Sequence, residues 1–107
     1  MAGMNLFTPQ TKATVSITCA VTTARVALNQ GIATTVRIKN TDSSNLAYVE
    51  FGDSTVTATV PNGASTGSMV IGAGETVGVS VGPKVTHVAA ICTAGTPLVF
   101  FTPGYGV

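Results

Sequence analysis

The chain has 107 residues, with a hydrophobic fraction of 45%, a charged fraction of 8% and a formal net charge of +1. This length fits one domain with one core. The five basic residues form no run, which excludes the clustered cations that nucleic acid binding needs, and the lack of an 18-residue apolar stretch excludes a membrane-spanning helix. The low charge favours a surface that packs against other proteins, because few charges must be desolvated.

The start of the chain lacks the basic and apolar regions of a secretory signal. We therefore expect synthesis in the cytoplasm. Cys19 and Cys92 form neither a paired-ligand metal motif nor a disulfide framework. We expect both to be buried free thiols.

Alternation of apolar and polar residues is the dominant pattern, and it is clearest over residues 14–22. Apolar residues occupy the odd positions there, which places Cys19 inside. Ala24 and Val26 continue the alternation with its phase reversed. This reversal indicates a bulge or a change of sheet near residues 22–23.

Further runs of the same kind are separated by turn-forming residues rich in Asn, Asp, Gly and Pro. They predict strands over residues 24–28, 32–39, 46–51, 55–60, 68–71, 76–81, 85–93 and 98–102. The last strand is expected to stop at Pro103 and Gly104.

These strands predict an all-β fold, an antiparallel β-sandwich of jelly-roll type with about eight short strands and no long helix. Residues 1–13 lack alternation and carry Pro9, so we expect an extended N-terminal arm there. Residues 14–107 are expected to form the single β-sandwich domain.

No pattern predicts a catalytic site. Ser65 lies in a G-x-S-x-G match, but a nucleophile elbow needs a strand before it and a helix after it, and a loop is predicted here. His87 lies within a predicted strand, and no carboxylate is near it in sequence to orient it as a base. We therefore expect no enzyme activity.

Metal and cofactor sites are not indicated either. Asp42 and Asp53 are expected to cap turns, with a weak calcium site as the alternative. Gly72 to Glu75 lack the Lys-Ser/Thr ending and the helix of a phosphate loop. The aromatic residues are too scattered for a sugar- or base-stacking platform. No cofactor is expected.

Several segments together resemble small virion proteins of tailed bacteriophages. They are Val36 to Asn40, Tyr48 to Gly52, Ile71 to Gly74, Thr86 to Ile91 and Thr102 to Gly106, and they span most of residues 25–107. The resemblance implies a jelly-roll cement or decoration protein on the capsid exterior, which fastens neighbouring major capsid protein subunits without a cofactor.

We accordingly expect a structural virion protein whose partners are the major capsid protein and further copies of itself, as a dimer or trimer. The alternative is a carbohydrate- or ligand-binding sandwich of a virion head or tail, which the lack of tryptophan weakens. Nucleic acid and membrane are not expected as partners. Leu6, Phe7, Pro9 and Tyr105 are the candidate contact residues, because terminal segments of small domains can reach neighbours.

Overall fold

The computed structural model describes residues 7–28 and 34–106, which form two antiparallel sheets and contain no helix. This confirms the predicted all-β sandwich. Nine strands occur in the described residues: β1 (Thr8–Pro9), β2 (Val15–Thr18), β3 (Ala24–Ala27), β4 (Thr35–Asn40), β5 (Ala47–Gly52), β6 (Met69–Ile71), β7 (Thr76–Ser80), β8 (His87–Ile91) and β9 (Leu98–Tyr105).

The first sheet has the strand order β1-β9-β4-β7, and β2 also pairs with β9. The second sheet has the order β3-β8-β5-β6. Consecutive strands change sheet at every step from β2 to β5 and from β6 to β9. The jelly-roll type of the sandwich stays a prediction.

The core lies between the sheets and follows from the period-2 alternation of the strands. On β4, Val36 and Ile38 are fully buried while Arg37 and Lys39 are exposed. Opposite them on β9, Phe101 contributes the largest fully buried side chain. Burial of such side chains stabilises the fold by about 1.5–3 kcal/mol each.

Two explanations were predicted for the phase reversal near residues 22–23, a bulge or a change of sheet. The structure shows a change of sheet. β2 belongs to the first sheet and β3 to the second. Cys19 and Cys92 are buried and unpaired, as predicted.

The strand predicted over residues 55–60 is wrong, because this segment pairs with no strand. The alternation is nevertheless real: Ala58 is buried, and Val56 and Val60 are half-buried. The apolar side chains are covered by packing on a sheet face, without a ladder of backbone hydrogen bonds.

Residues 53–68, here called the strap, cross the outer face of the second sheet. The Arg25 guanidinium on β3 donates to the Val56 carbonyl at 3.0 Å. The Ala58 N–H donates to Thr23 Oγ1 at 2.9 Å. The side chains of Arg25 on β3 and of Thr23, which directly precedes β3, thus take the place of a neighbouring strand for the strap backbone.

The far end of the strap is fixed through Ser68, which is 7% exposed. Its hydroxyl donates to Glu50 Oε1 at 2.8 Å and accepts from the Thr59 N–H at 2.9 Å. Under the strap, Ala89 on the outer face of β8 is fully buried. The strap therefore acts as a partial third layer on this sheet.

The predicted stop at Pro103 and Gly104 is also wrong, because β9 continues to Tyr105. The Pro103 carbonyl accepts from Gln10 N–H at 2.8 Å, on the side where β1 and β2 lie. The backbone nitrogen of Pro103 faces the same side of β9. The pairing of β9 is interrupted there, between its partners β1 and β2, so the missing N–H of the proline costs no hydrogen bond of the sheet.

Part of the predicted arm is described. Thr8 and Pro9 pair with Tyr105 and Gly104 of β9, and Ala13 is buried. Residues 1–6 lie outside the described residues. The division into an arm of residues 1–13 and a domain of residues 14–107 stays a prediction.

Candidate partner interface

Three of the four residues predicted for partner contact lie at one corner of the first sheet, and we call Phe7, Pro9 and Tyr105 the arm patch. The antiparallel pairing of Thr8 with Tyr105 brings the two chain ends together. Pro9 is exposed, Tyr105 is 39% exposed and Phe7 is half-buried. The fourth predicted residue, Leu6, lies outside the described residues.

The Phe7 ring lies on the outer face of the first sheet, where the Arg37 guanidinium stacks over it at 4.7 Å from the ring centroid. Cation–π contacts at exposed sites contribute about 0.5–1 kcal/mol. A side chain at position 104 would clash with the Thr8 carbonyl oxygen and approach Phe7 Cζ to 2.7 Å. Glycine at this position therefore allows the ring and β1 to pack onto β9.

Arg37 also lines a groove of about 430 Å³ that runs along β7. The groove is bounded by Thr35, Arg37 and the five residues of β7. Gly78 contributes no side chain to it, and β7 pairs only with β4 among the described strands. Phe7 of the arm patch and the groove thus lie on the outer face of the first sheet and are joined by Arg37; we call them together the first-sheet surface. By strand alternation, the Tyr105 side chain points to the opposite side of β9 from Gly104 and Phe7.

The second sheet has an exposed edge of different chemistry. The register places Val70 on β6, Tyr48 on β5 and Ile91 on β8 in one row across its outer face. Val70 is 48% exposed, and the neighbouring Met69 and Leu46 are 41% and 43% exposed. Since the strap covers only the adjacent part of this face, the row remains open to a partner.

The charged groups are distributed unevenly over the two outer faces. Among the described residues, the strands of the first sheet present Arg37 and Lys39 outward and no carboxylate. The Lys39 ammonium donates to the Gly74 carbonyl at 2.7 Å. The second sheet presents both Arg25 and Glu50 outward, toward the strap, and Asp53 directly follows β5.

The two aspartates predicted to cap turns do so. Asp42 Oδ1 accepts the N–H groups of Ser44 and Asn45, both at 2.8 Å, and these bonds lower the Asp42 pKa. Asp53 Oδ1 accepts the Thr55 hydroxyl at 2.6 Å and the Thr55 N–H at 2.9 Å, and these bonds lower the Asp53 pKa. Hydrogen bonds to the ionised form explain both directions.

Ser65 and His87, the two residues considered for catalysis, make separate local contacts. Ser65 is exposed in a tight turn, where it exchanges two backbone hydrogen bonds with Asn62. His87 Nδ1 is 2.8 Å from the hydroxyl of its neighbour Thr86. Within residues 7–28 and 34–106, no three His, Cys, Asp or Glu side chains are grouped to hold a metal ion, and no helix could cross a membrane.

The aromatic side chains of the described residues do not gather on one face. Phe101 is in the core, Phe7 lies on the first sheet and Tyr48 lies on the second. A sugar-stacking platform needs adjacent exposed rings. Phe7, Pro9 and Tyr105, which were predicted as contact residues of two separate chain ends, lie near one another at the corner where β1 pairs with β9.

The contact of Arg37 with Phe7 was not predicted from the sequence. The two residues are 30 positions apart, and no local pattern joins them. The row of Val70, Tyr48 and Ile91 was also missed. A signal was present, since each of these residues takes the outward position of a predicted strand with an apolar side chain.

Comparison with known proteins identifies no family. No protein-family model matches the chain, and no curated protein matches it.

A similar fold does occur among solved structures. One solved structure with a similar fold comes from work on Bacillus endospore appendages, which are described as a novel family of disulfide-linked pili. It matches with a TM-score of 0.56 over 97% of this chain and 89% of that chain, at 18% sequence identity. At this identity the likeness shows a shared fold.

Proposed function

We propose that this protein is a structural subunit that decorates and cements a bacteriophage capsid by bridging neighbouring major capsid protein subunits, and that it has no catalytic role. The observation that carries the proposal is the pair of open surfaces on opposite sheets. The first-sheet surface combines a cation–π pair with the polar side chains of Thr35, Thr76 and Ser80, whereas the row of Val70, Tyr48 and Ile91 carries no charged side chain. The resemblance to phage virion proteins supplies the identity of the partner.

Bridging requires that one module contact at least two subunits. Surfaces on opposite faces of a rigid sandwich meet this requirement, because two partners can bind without competing for space. Once the first partner is bound, the second contact becomes intramolecular and benefits from a high effective concentration. Modest individual interfaces then give firm overall attachment.

The low charge of the chain agrees with this role. With only 8% charged residues, little free energy is lost in desolvating ions when a surface is covered. The edge of β7, which pairs only with β4 among the described strands, also favours association, since backbone groups of a strand edge can bind further partners.

A second candidate is a subunit of a filament built from copies of this chain alone. The fold shared with a protein from disulfide-linked pili favours it. In this chain both cysteines are buried, at 0% and 1% exposure, so neither thiol is placed at the surface to link subunits. A filament of this protein would therefore be held by noncovalent contacts.

One experiment separates the two candidates. The purified full chain is measured by size-exclusion chromatography with light scattering, imaged by negative-stain electron microscopy, and then mixed with phage heads and sedimented. Discrete dimers or trimers that cosediment with heads are expected for the capsid role. Filaments formed by the protein alone would support the second candidate, and a monomer that binds no head would overturn both.

The contribution of the arm patch is tested by Phe7→Ala and Tyr105→Ala in the same sedimentation assay. If the arm patch contacts the capsid, each change should weaken head binding by about tenfold, the scale of a moderate interface residue. Val21→Ala is the control, because it removes an exposed apolar side chain that lies outside both proposed surfaces. Unchanged binding in Phe7→Ala and Tyr105→Ala would remove the arm patch from the interface.

A further inference from the structure

Two buried thiols lie at the same end of the sandwich core, where β2 and β8 finish. Cys19 directly follows β2 of the first sheet, and Cys92 directly follows β8 of the second. Their exposed fractions are 0% and 1%, and both belong to the hydrophobic core. Each sheet thus contributes one thiol to the same end of the core.

A backbone hydrogen bond joins Cys92 to the residue that follows Cys19. The Cys92 N–H donates to the Ala20 carbonyl at 2.9 Å, and Ala20 is the residue after Cys19. The Cys19 N–H donates to the Pro97 carbonyl at 2.8 Å. Burial, with a smaller effect of the nearby Cys92, raises the pKa of Cys19 to about 11, so its thiol stays protonated and unreactive while the core is closed.

We propose that Cys19 and Cys92 are an oxidation site at which an intramolecular disulfide closes between the two sheets when the folded protein meets a low-molecular-weight disulfide such as oxidised glutathione. The bond lies within one chain and is independent of the proposed function.

Access to the pair comes through the segments beside it. Residues 20–23 and 93–96 are exposed, and Val21 is 71% exposed. The Cys92 thiol donates to the Gly95 carbonyl at 3.5 Å, so opening of residues 93–96 also frees this thiol. Local opening of such loops needs far less free energy than global unfolding.

The chemistry balances in two exchanges. One cysteine, after losing its proton, attacks a sulfur of oxidised glutathione, and a mixed disulfide forms while one glutathione thiolate leaves. The second cysteine loses its proton and attacks the protein sulfur of that mixed disulfide, expelling the second glutathione. The protein loses two electrons and two protons, and glutathione disulfide is reduced to two thiols.

The test uses the full chain, first fully reduced and then incubated with oxidised glutathione under native conditions. We expect a mass loss of about 2 Da and a peptide containing Cys19 joined to Cys92 in a nonreducing digest. Since the bond closes a loop of 73 positions, we also expect Tm to rise by roughly 10 °C relative to the reduced protein.

Cys19→Ala and Cys92→Ala are the matched controls, since neither variant can close the bond. The Tm of each variant should be unchanged by the oxidant. The comparison of oxidised with reduced wild-type protein stands even if a variant does not fold. Glutathione adducts without the joined peptide, dimers linked between chains, or a disulfide that lowers Tm would each overturn the proposal.

Discussion

The amide of Asn40 shows how one buried polar side chain can join several parts of this fold. It is fully buried at the end of β4, and its Nδ2 donates to the carbonyls of Asn45, Ile71 and Gly72 at 3.0, 3.4 and 3.2 Å. Its Oδ1 accepts the Asp42 N–H at 3.0 Å. The side chain thus connects the first sheet to the turn after β4 and to the end of β6.

We expect Asn40→Ala to lower the free energy of unfolding by about 2–4 kcal/mol, because it leaves buried backbone groups without partners and opens a cavity. Urea denaturation measures this change. Asn62→Ala is the control: Asn62 is exposed and bonds through its backbone, so a change below about 0.5 kcal/mol is expected. Equal effects in the two variants would contradict the role given to the Asn40 amide.

The turn aspartates predict how stability depends on pH. Hydrogen bonds lower the pKa of Asp42 and Asp53 below the ordinary value of 3.8 in the folded state. Their stabilisation is therefore complete above pH 3.8 and is lost as pH falls through the lower folded-state pKa. The urea concentration at the midpoint of unfolding should therefore decrease as pH falls below 3.8.

The double variant Asp42→Asn with Asp53→Asn tests this dependence. An amide oxygen can still accept the turn N–H groups, but it does not titrate. We expect the midpoint of the variant to fall less than that of the wild type when pH is lowered from about 6 to about 2.5. Parallel curves for the two proteins would show that these carboxylates do not contribute to acid unfolding.

At the residue scale, local chemistry was predictable and long-range contact was not. The turn roles of Asp42 and Asp53 follow from the reach of a short side chain to its own backbone. The burial of Cys19 follows from strand alternation. The contact between Arg37 and Phe7 depends on how β1 lies beside β9, which no local pattern specifies.

At the scale of elements, the strap is the part that departs most from the sequence prediction. It is held by side chains of the second sheet and by Ser68, which joins Glu50 and Thr59 at 2.8 and 2.9 Å. We expect Ser68→Ala to lower the free energy of unfolding by about 1–2 kcal/mol. Amide hydrogen exchange in residues 56–60 should become faster, while exchange in β4 and β9 stays slow.

Ser65→Ala is the matched control for this prediction. Ser65 is exposed in the turn of the strap and bonds Asn62 only through backbone groups in the described structure. Its substitution should leave strap exchange unchanged. Faster exchange in both variants would show that the Ser68 hydroxyl has no special part in holding the strap.

The packing of β1 on β9 gives a second prediction at this scale. In Gly104→Ala the new methyl group would meet the Thr8 carbonyl and Phe7 Cζ, so β1 should detach or β9 should shift, at a cost of about 1–3 kcal/mol. Limited proteolysis near residue 9 should accelerate. Gly82→Ala, where a methyl group meets nothing within 4 Å, should behave like the wild type.

The two errors in the strand prediction have one physical cause. Alternation reports which side chains are covered, and it does not report which backbone groups pair. Residues 55–60 alternate because the strap packs on a sheet face, and β9 continues through Pro103 because the missing N–H faces an interrupted ladder. Pairing partners are tertiary information and were not available from the local pattern.

At the scale of the whole molecule, fold class was predictable because short alternating runs without a helical period allow little besides a sandwich or barrel. The strand orders β1-β9-β4-β7 and β3-β8-β5-β6 were not predictable, since they join segments far apart in sequence. Phe7, Pro9 and Tyr105 were chosen as contact residues from their positions in the terminal segments, and their contact with a partner stays a prediction. The groove along β7 arises only from strand order.

The small number of charges leads to a prediction about association of the complete protein. With 8% charged residues and a net charge of +1, attraction between oppositely charged surfaces can supply only a small part of the binding free energy. Salt screens exposed charges over about 8 Å at physiological ionic strength, but it does not weaken apolar burial. Head binding or self-association should therefore change by less than about threefold between 50 and 500 mM NaCl.

Arg37→Gln provides the comparison that separates shape from charge. The amide keeps hydrogen-bonding capacity but loses the cation that stacks on Phe7. If packing dominates, wild type and variant should share the same flat dependence on salt in sedimentation with heads or in light scattering. A loss of tenfold or more at high salt in the wild type, absent in Arg37→Gln, would instead identify Arg37 as the centre of an electrostatic interface with an acidic partner.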